Sequence, residues 1–394
     1  MVFFDIFNSK LRAQKKAEEE ERSKLEFEQL RLALGSSIPF PGGLHLEETW
    51  WRDHFLWLKE VGYQLRSRYA PDWVPSWQGT DKYWALCEDS LHMVTTQVVS
   101  ATRMSDGAHV VLKRIQPSAH PHEIEISRFL SSEPLKGQRE NHSVEMLDVL
   151  HIPDEADEAI LVLPLLRPFD DPPFETIGEI IDFVRQVFEG LQFMHKHRVA
   201  HRDCMNLNIM MDPMEMYPHP YHPCSPALRL DMKGWVKHRS RTECPPRYLF
   251  IDFGISRHYQ ASESAPLELP IWGGYKNVPE FLLSDEACNP FPTDVWYLGI
   301  ALQQQLLDVY RGLGFMEPLV SDMVQNDPAQ RPTMDEVMSR FATTYQALSA
   351  WQLRSRAVMK KEWIIRRPFR ETFHWLRCLR FLSRHLPAIP SLTL

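Results

Sequence analysis

With 394 residues, 44% apolar composition and a formal net charge of −8, the chain can bury one large core or two ordinary ones, and its acidity excludes a general nucleic-acid binder. Six cysteines at irregular spacings exclude a disulfide framework and point to a reducing, cytoplasmic setting. The start, Met1 to Phe7, lacks the basic region of a signal peptide, and no apolar run approaches the roughly 18 residues of a spanning helix.

Residues 1–36 read as a charged N-terminal helix, with Ser9 as its cap and Gly35 as its stop. Its middle, Lys15 to Arg22, has no apolar stripe, so a solvated helix is expected. A Pro/Gly break opens an extension over residues 37–90 that carries Trp50, Trp51, Trp57, Trp73, Trp77 and Trp84. Indoles at this density brace a fold by packing.

Residues 97–103 and 109–115 alternate in polarity on either side of an Asp106-Gly107 turn, which predicts a β-hairpin. An amphipathic helix is expected over Glu123 to Leu130, and a short buried strand over Ala159 to Leu166. Ile177, Ile180, Ile181, Val184, Val187, Phe188, Leu191 and Met194 recur with helical period and predict one long helix. Strands with one helix, then a run of helices, is the order of an α+β fold. It predicts a small β-rich lobe over 91–166 and a larger α-rich lobe over 167–350.

The chemistry is concentrated in two loops. His201-Arg202-Asp203 places an acid five residues before Asn208, and Ile251-Asp252-Phe253-Gly254 follows downstream. One carboxylate to orient a hydroxyl, an amide and a second carboxylate to hold Mg²⁺, and a glycine at the turn are what phosphoryl transfer needs. Val278-Pro279-Glu280, Asp294-Val295-Trp296-Tyr297-Leu298-Gly299 and Arg331-Pro332 come later in the same order.

Together these motifs resemble the eukaryotic protein kinase family over residues 91–350. More narrowly, the chain is similar to kinase-like proteins numerous in mushroom-forming fungi. The resemblance implies a two-lobed fold using ATP and Mg²⁺. Asp203 would orient the substrate hydroxyl, and Asn208 and Asp252 would bind the metal. Phe253 and Gly254 complete the metal loop. Arg202 would meet a phosphorylated loop, with Ser262 or Ser264 as the phosphosite. Glu280 and Arg331 would form a structural ion pair, and Asp294 would hold the backbone of the catalytic loop. In Val111-Leu112-Lys113 the lysine would reach the α/β-phosphates. Its partner would be Glu123, preferred over Glu125 because a helical register puts Glu123 and Ser127 on one face. Val111, Leu163 and Leu165 would line the same ATP site.

Several stretches depart from that family. Leu91 to Gln97 contains no glycine where the family has a glycine-rich phosphate loop. Met205 stands where a lysine would neutralise the γ-phosphate. Gln303 to Met316 is too short for the family's substrate-docking helix. An insertion over 212–247 carries His219, His222 and Cys224, whose spacing fits no zinc template, and it reads as a proline-stiffened loop.

The tail, residues 351–394, has ten Lys/Arg and two acids from Gln352 onward, near +8, which leaves the rest of the chain near −16. Leu376, Leu379, Leu382 and Leu386 form one helical face there, and Arg377, Arg380 and Arg384 another. The tail is expected to dock on the acidic body; the alternative is peripheral contact with a membrane or a partner. The expected function is ATP- and Mg²⁺-dependent phosphorylation of Ser/Thr hydroxyls in a protein substrate whose identity the sequence leaves open. A pseudokinase acting as a nucleotide-binding or interaction module is one alternative, and a small-molecule kinase is the other.

Overall fold

The structure, a computed structural model, describes residues 42–390 apart from 264–265, 272–276, 364 and 366. The predicted helix within residues 1–36 lies outside the described residues. The described residues are 37% helical and 16% strand. Among the described residues the paired strands run antiparallel, so the fold is mixed α+β. It divides into two compact units, Met1–Ala108 and His109–Leu394, with the boundary beside the Asp106-Gly107 turn.

The first unit contains helices α1 (Thr49–Asp53) and α2 (Phe55–Glu60) and strands β1 (Tyr63–Leu65) and β2 (Val98–Arg103), which pair with each other. Of its tryptophans Trp51 is buried, Trp50, Trp57, Trp73 and Trp77 are half-buried, and Trp84 is exposed. Trp51 is fully buried with Trp50 edge-on at 4.8 Å, and its indole donates to the Thr96 carbonyl at 2.8 Å. Beside them the buried Arg68 guanidinium meets Glu48 at 3.0 Å, and the Tyr69 hydroxyl donates to the same carboxylate at 2.8 Å. The glycine-free stretch Leu91 to Gln97 has no strand geometry; Arg66 fastens it by donating to the Leu91 carbonyl at 2.7 Å.

The second unit opens with β3 (His109–Ile115), α3 (Glu123–Leu130), β4 (Asp148–His151) and β5 (Ala159–Pro164), with β5 hydrogen-bonded between β3 and β4. It continues with β6 (Arg167–Pro168), α4 (Ile177–Lys196), β7 (Val199–Ala200), β8 (Ile209–Met211), β9 (Tyr221–His222), β10 (Ser225–Arg229), β11 (Tyr248–Phe250) and β12 (Arg257–His258). The last elements are α5 (Pro279–Leu283), α6 (Pro290–Leu302), α7 (Glu317–Met323), α8 (Met334–Gln346), α9 (Ala350–Arg354) and α10 (Arg367–Ser383).

Helix α4 is the axis of this unit. The Thr176 hydroxyl caps it by accepting from the Glu179 amide at 3.0 Å, and all eight residues of its predicted stripe are buried. Gly190 lets the chain at His142 approach closely, because a Cβ there would stand 2.6 Å from the His142 Cβ. That approach carries Val144, whose amide donates to the Phe250 carbonyl at 2.9 Å and so steadies the end of β11. Strand β11 runs straight into the loop that holds Asp252.

The 212–247 insertion is more ordered than a proline-stiffened loop. It contains the β9–β10 ladder and a fully buried Arg241, whose guanidinium lies over the Phe174 ring at 4.5 Å and donates to the Phe169 carbonyl at 2.7 Å. The cation–π contact and backbone bonds, absent from any local pattern, fold it down onto the entrance of α4. Between α6 and α7 there is only a π-helical turn over Gln303–Leu307 and one 3₁₀ turn over Gly314–Met316.

Candidate functional site

Three elements of the second unit converge on one lysine. Strand β3 delivers Lys113, α3 delivers Glu123 in its first turn, and the loop after β11 delivers Asp252. The Lys113 ammonium lies 2.5 Å from the Glu123 carboxylate and 2.8 Å from that of Asp252, residues 10 and 139 positions away in sequence. Glu123 is buried, whereas Glu125 is exposed and pairs locally with His122 at 3.8 Å. Burial works against the Lys113 charge, but the two carboxylates outweigh it and raise its pKa, so it is an ammonium across the neutral range. Burial pushes the Glu123 carboxyl up against the pull of Lys113.

Asp252 is held in left-handed backbone at φ +64°, and Arg202 likewise at +67°. Both are non-glycine residues in a sparsely populated region, the kind of local strain that persists where surroundings over-determine the conformation. For Asp252 the clamp includes the Gly254 amide, 3.2 Å from its carboxylate. Gly254 is needed for closeness: a Cβ there would lie 3.1 Å from both Asp252 and His120 and 3.2 Å from Glu123. Although burial alone would raise the Asp252 pKa, Lys113 overrides it and lowers it, so this half-exposed group is a carboxylate at neutral pH.

The second loop is fixed from below by Asp294 of α6. Its fully buried carboxylate accepts from the His201 amide at 2.8 Å and the Arg202 amide at 2.6 Å. The His201 ring lies against Phe250 and Phe253, and its Nε2 reaches the Ile251 carbonyl at 3.1 Å, joining the two loops. Asn208 donates through Nδ2 to the Asp203 carbonyl at 2.8 Å and its carboxylate at 3.0 Å. That leaves the Asn208 carbonyl oxygen as the amide's acceptor. Burial raises the Asp203 pKa; His201 and Asn208 oppose the rise, and the charge of Asp252 adds to it.

The remaining predicted residues fall into two groups. Val111 and Leu163 face each other in register across β3 and β5, both half-buried, and Leu165 follows just beyond β5. Glu280 and Arg331 form a closed ion pair at 2.7 and 2.8 Å, with the Thr293 hydroxyl donating to the same carboxylate at 2.7 Å. They bind α5 to the loop before α8, remote from the lysine cluster in role. Met205 is buried in the hydrophobic core, so its side chain is a packing element.

Arg202 has its own partners. Its guanidinium donates to the carbonyls of Ile255 and Leu269 at 3.2 and 3.0 Å and lies 3.3 Å from Glu268. Arg257 at 3.4 Å and the Tyr259 hydroxyl at 3.2 Å share that carboxylate. Ser262 is exposed nearby in the chain, and Ser264 lies outside the described residues.

Two participants carried no signal in the sequence. His120 reaches the Gly254 carbonyl at 2.9 Å across 134 positions, and Glu268 lies 3.3 Å from the distant Arg202. Both are single polar residues without spacing to mark them. Among the described residues, no group of three or more His, Cys, Asp or Glu is placed to hold a metal ion. His222 is buried and accepts from the Cys224 amide at 3.2 Å, which accounts for it as a turn residue. A search of protein families finds no family model that matches the chain.

Proposed function

We propose that this chain is a two-lobed, protein kinase-like enzyme that transfers the γ-phosphoryl group of ATP, with Mg²⁺, to Ser/Thr hydroxyls of protein substrates. The observation that carries the reading is the Lys113–Glu123–Asp252 cluster, set against Asp203 and Asn208 on the adjoining loop.

Lys113, held charged and aimed by Glu123, supplies the cation for the α/β-phosphates. Val111, Leu163 and Leu165 offer apolar surface beside it for a nucleoside base. Asp203, with its raised pKa, is suited to accept the proton of an attacking hydroxyl as that proton becomes acidic. Asn208 holds the Asp203 carboxylate in place. The oxygens of Asp252 and Asn208 suit Mg²⁺, a hard cation that takes one or two carboxylates plus phosphate oxygens in place of an all-protein cage. When bound, the metal would neutralise charge on the phosphates.

A second reading, a nucleotide-binding module without transfer, is favoured by the burial of Met205, which leaves that position without a cation for the γ-phosphate. Incubation with γ-labelled ATP, Mg²⁺ and a mixture of protein acceptors separates the two. Transfer by the wild type that disappears in Asp203→Asn supports the enzyme; equal labelling by both removes Asp203 from the chemistry. Nucleotide binding with no transfer selects the module.

A further inference from the structure

The tail from Gln352 onward folds back on the second unit, but with its faces reversed from the usual arrangement. The Ile177 amide donates to the Ser355 carbonyl at 3.0 Å, and the Lys360 amide donates to the Val309 carbonyl at 2.7 Å. In α10, His374, Cys378 and Phe381 face inward, and Arg377 meets Glu175 at 2.5 Å while Arg384 pairs with Glu243. The leucines, which a helix docked through its apolar side would hide, face out. Phe369 and Phe373 are 70% and 71% exposed, and Leu376 and Leu379 are 58% and 59% exposed. Trp363 and Ile365, just before the helix, are 73% and 80% exposed. An outward aromatic and leucine stripe this continuous is a mark of an interaction face.

Charge selects the occupant. Residues 372–394 contain no Asp or Glu. The two acids of the tail are both spent on arginines: Glu362 lies 2.7 Å from Arg356 and from Arg370, and Glu371 lies 2.9 Å from Arg356. Lys360, Lys361 and Arg380 are exposed, the two lysines shortly before Trp363 in the chain and Arg380 within the helical stripe. A cation in the middle of an apolar helical face is costly against an apolar protein surface, and its copy would confront it in a two-fold pairing. At a lipid headgroup layer it snorkels to phosphate while the rings and leucines enter the acyl boundary.

We propose that α10, with Trp363 and Ile365, is a docking face for an anionic membrane surface, on which the helix lies flat. Burying the stripe supplies the apolar part of the affinity, and Lys360, Lys361 and Arg380 supply the electrostatic part. The proposal is independent of the phosphoryl-transfer reading, because none of these residues belongs to the lysine cluster.

Flotation of the full chain with vesicles tests it. The protein is expected to float with phosphatidylcholine vesicles containing phosphatidylserine, to stay largely free with phosphatidylcholine alone, and to be released by high salt. Phe373→Asp combined with Leu376→Asp should lower the bound fraction about tenfold, and Arg380→Glu should weaken it less. Both positions are exposed, so an unchanged unfolding temperature in the variants verifies the fold. No flotation with the anionic vesicles overturns the proposal, as does binding that the double variant leaves intact. Dimerisation of the wild type that the double variant abolishes, with no vesicle binding, assigns the face to a second copy and overturns it equally.

Discussion

At the scale of single residues, two aspartates on adjoining loops have opposite pKa shifts, and the proposed function gives them different roles. Lys113 drives Asp252 below the ordinary carboxylate range, whereas burial lifts Asp203 above it. A base with a raised pKa loses activity as protons return to it, so the acid limb of kcat/KM should have its midpoint above the ordinary 3.8 of an aspartate. A pH–rate profile flat down to 3.8 would contradict that role. Lys113→Met should remove the counter-charge of Glu123 and Asp252 together and cut kcat/KM by about a hundredfold or more. An unchanged rate would separate the cluster from catalysis. These residues were legible in the sequence because they form a spaced local pattern: Asp203 five residues before Asn208, then Asp252-Phe253-Gly254. His120 and Glu268 were not, since the contacts that bring them in, to Gly254 and to Arg202, are distant in sequence and leave no local period.

At the scale of elements, the fold rests on a few approaches that tolerate little change. Glu280 and Arg331 are almost wholly removed from water and satisfy each other twice, so losing one partner strands a buried charge. Arg331→Ala should cost about 3–5 kcal/mol of stability, read by denaturant unfolding; a cost under about 1 kcal/mol would mean that water reaches the pair. Gly178, in the first turn of α4, faces the carbonyl of Ala388, and a Cβ there would come to 1.9 Å. Gly178→Ala should therefore lift residues 385–390 from the helix and raise their hydrogen exchange, with the rest of α4 unaffected. The tail is also pinned by Glu362, whose pKa hydrogen bonds from Arg356 lower to about 2. Its stabilising effect is complete above the unfolded value of 4.5 and is lost as pH falls through about 2, and Glu362→Gln should flatten that window. Periodicity located α3, α4 and β5 well, since burial is repetitive in each. It could not say which side of α10 turns inward, because the choice is made by Glu175, Glu243 and the Arg354 carbonyl, far away in sequence.

At the scale of the whole molecule, the sequence-level pattern of strands followed by helices is matched by a mixed α+β chain, while its division at residue 108 had no compositional mark. The proposed account makes the molecule an ATP-using enzyme whose tail lies at a lipid surface, with the two properties carried by separate residues. A double variant of the stripe at Phe373 and Leu376 should leave solution transfer rates within about twofold of wild type while lowering the floated fraction about tenfold. The most direct test of the central claim is calorimetric titration of the full chain with ATP, with and without Mg²⁺, beside Asp252→Asn. The account predicts saturable binding that Mg²⁺ strengthens in the wild type, and binding in Asp252→Asn that no longer responds to the metal. Absence of binding under both conditions, or an identical Mg²⁺ response in the variant, would contradict it.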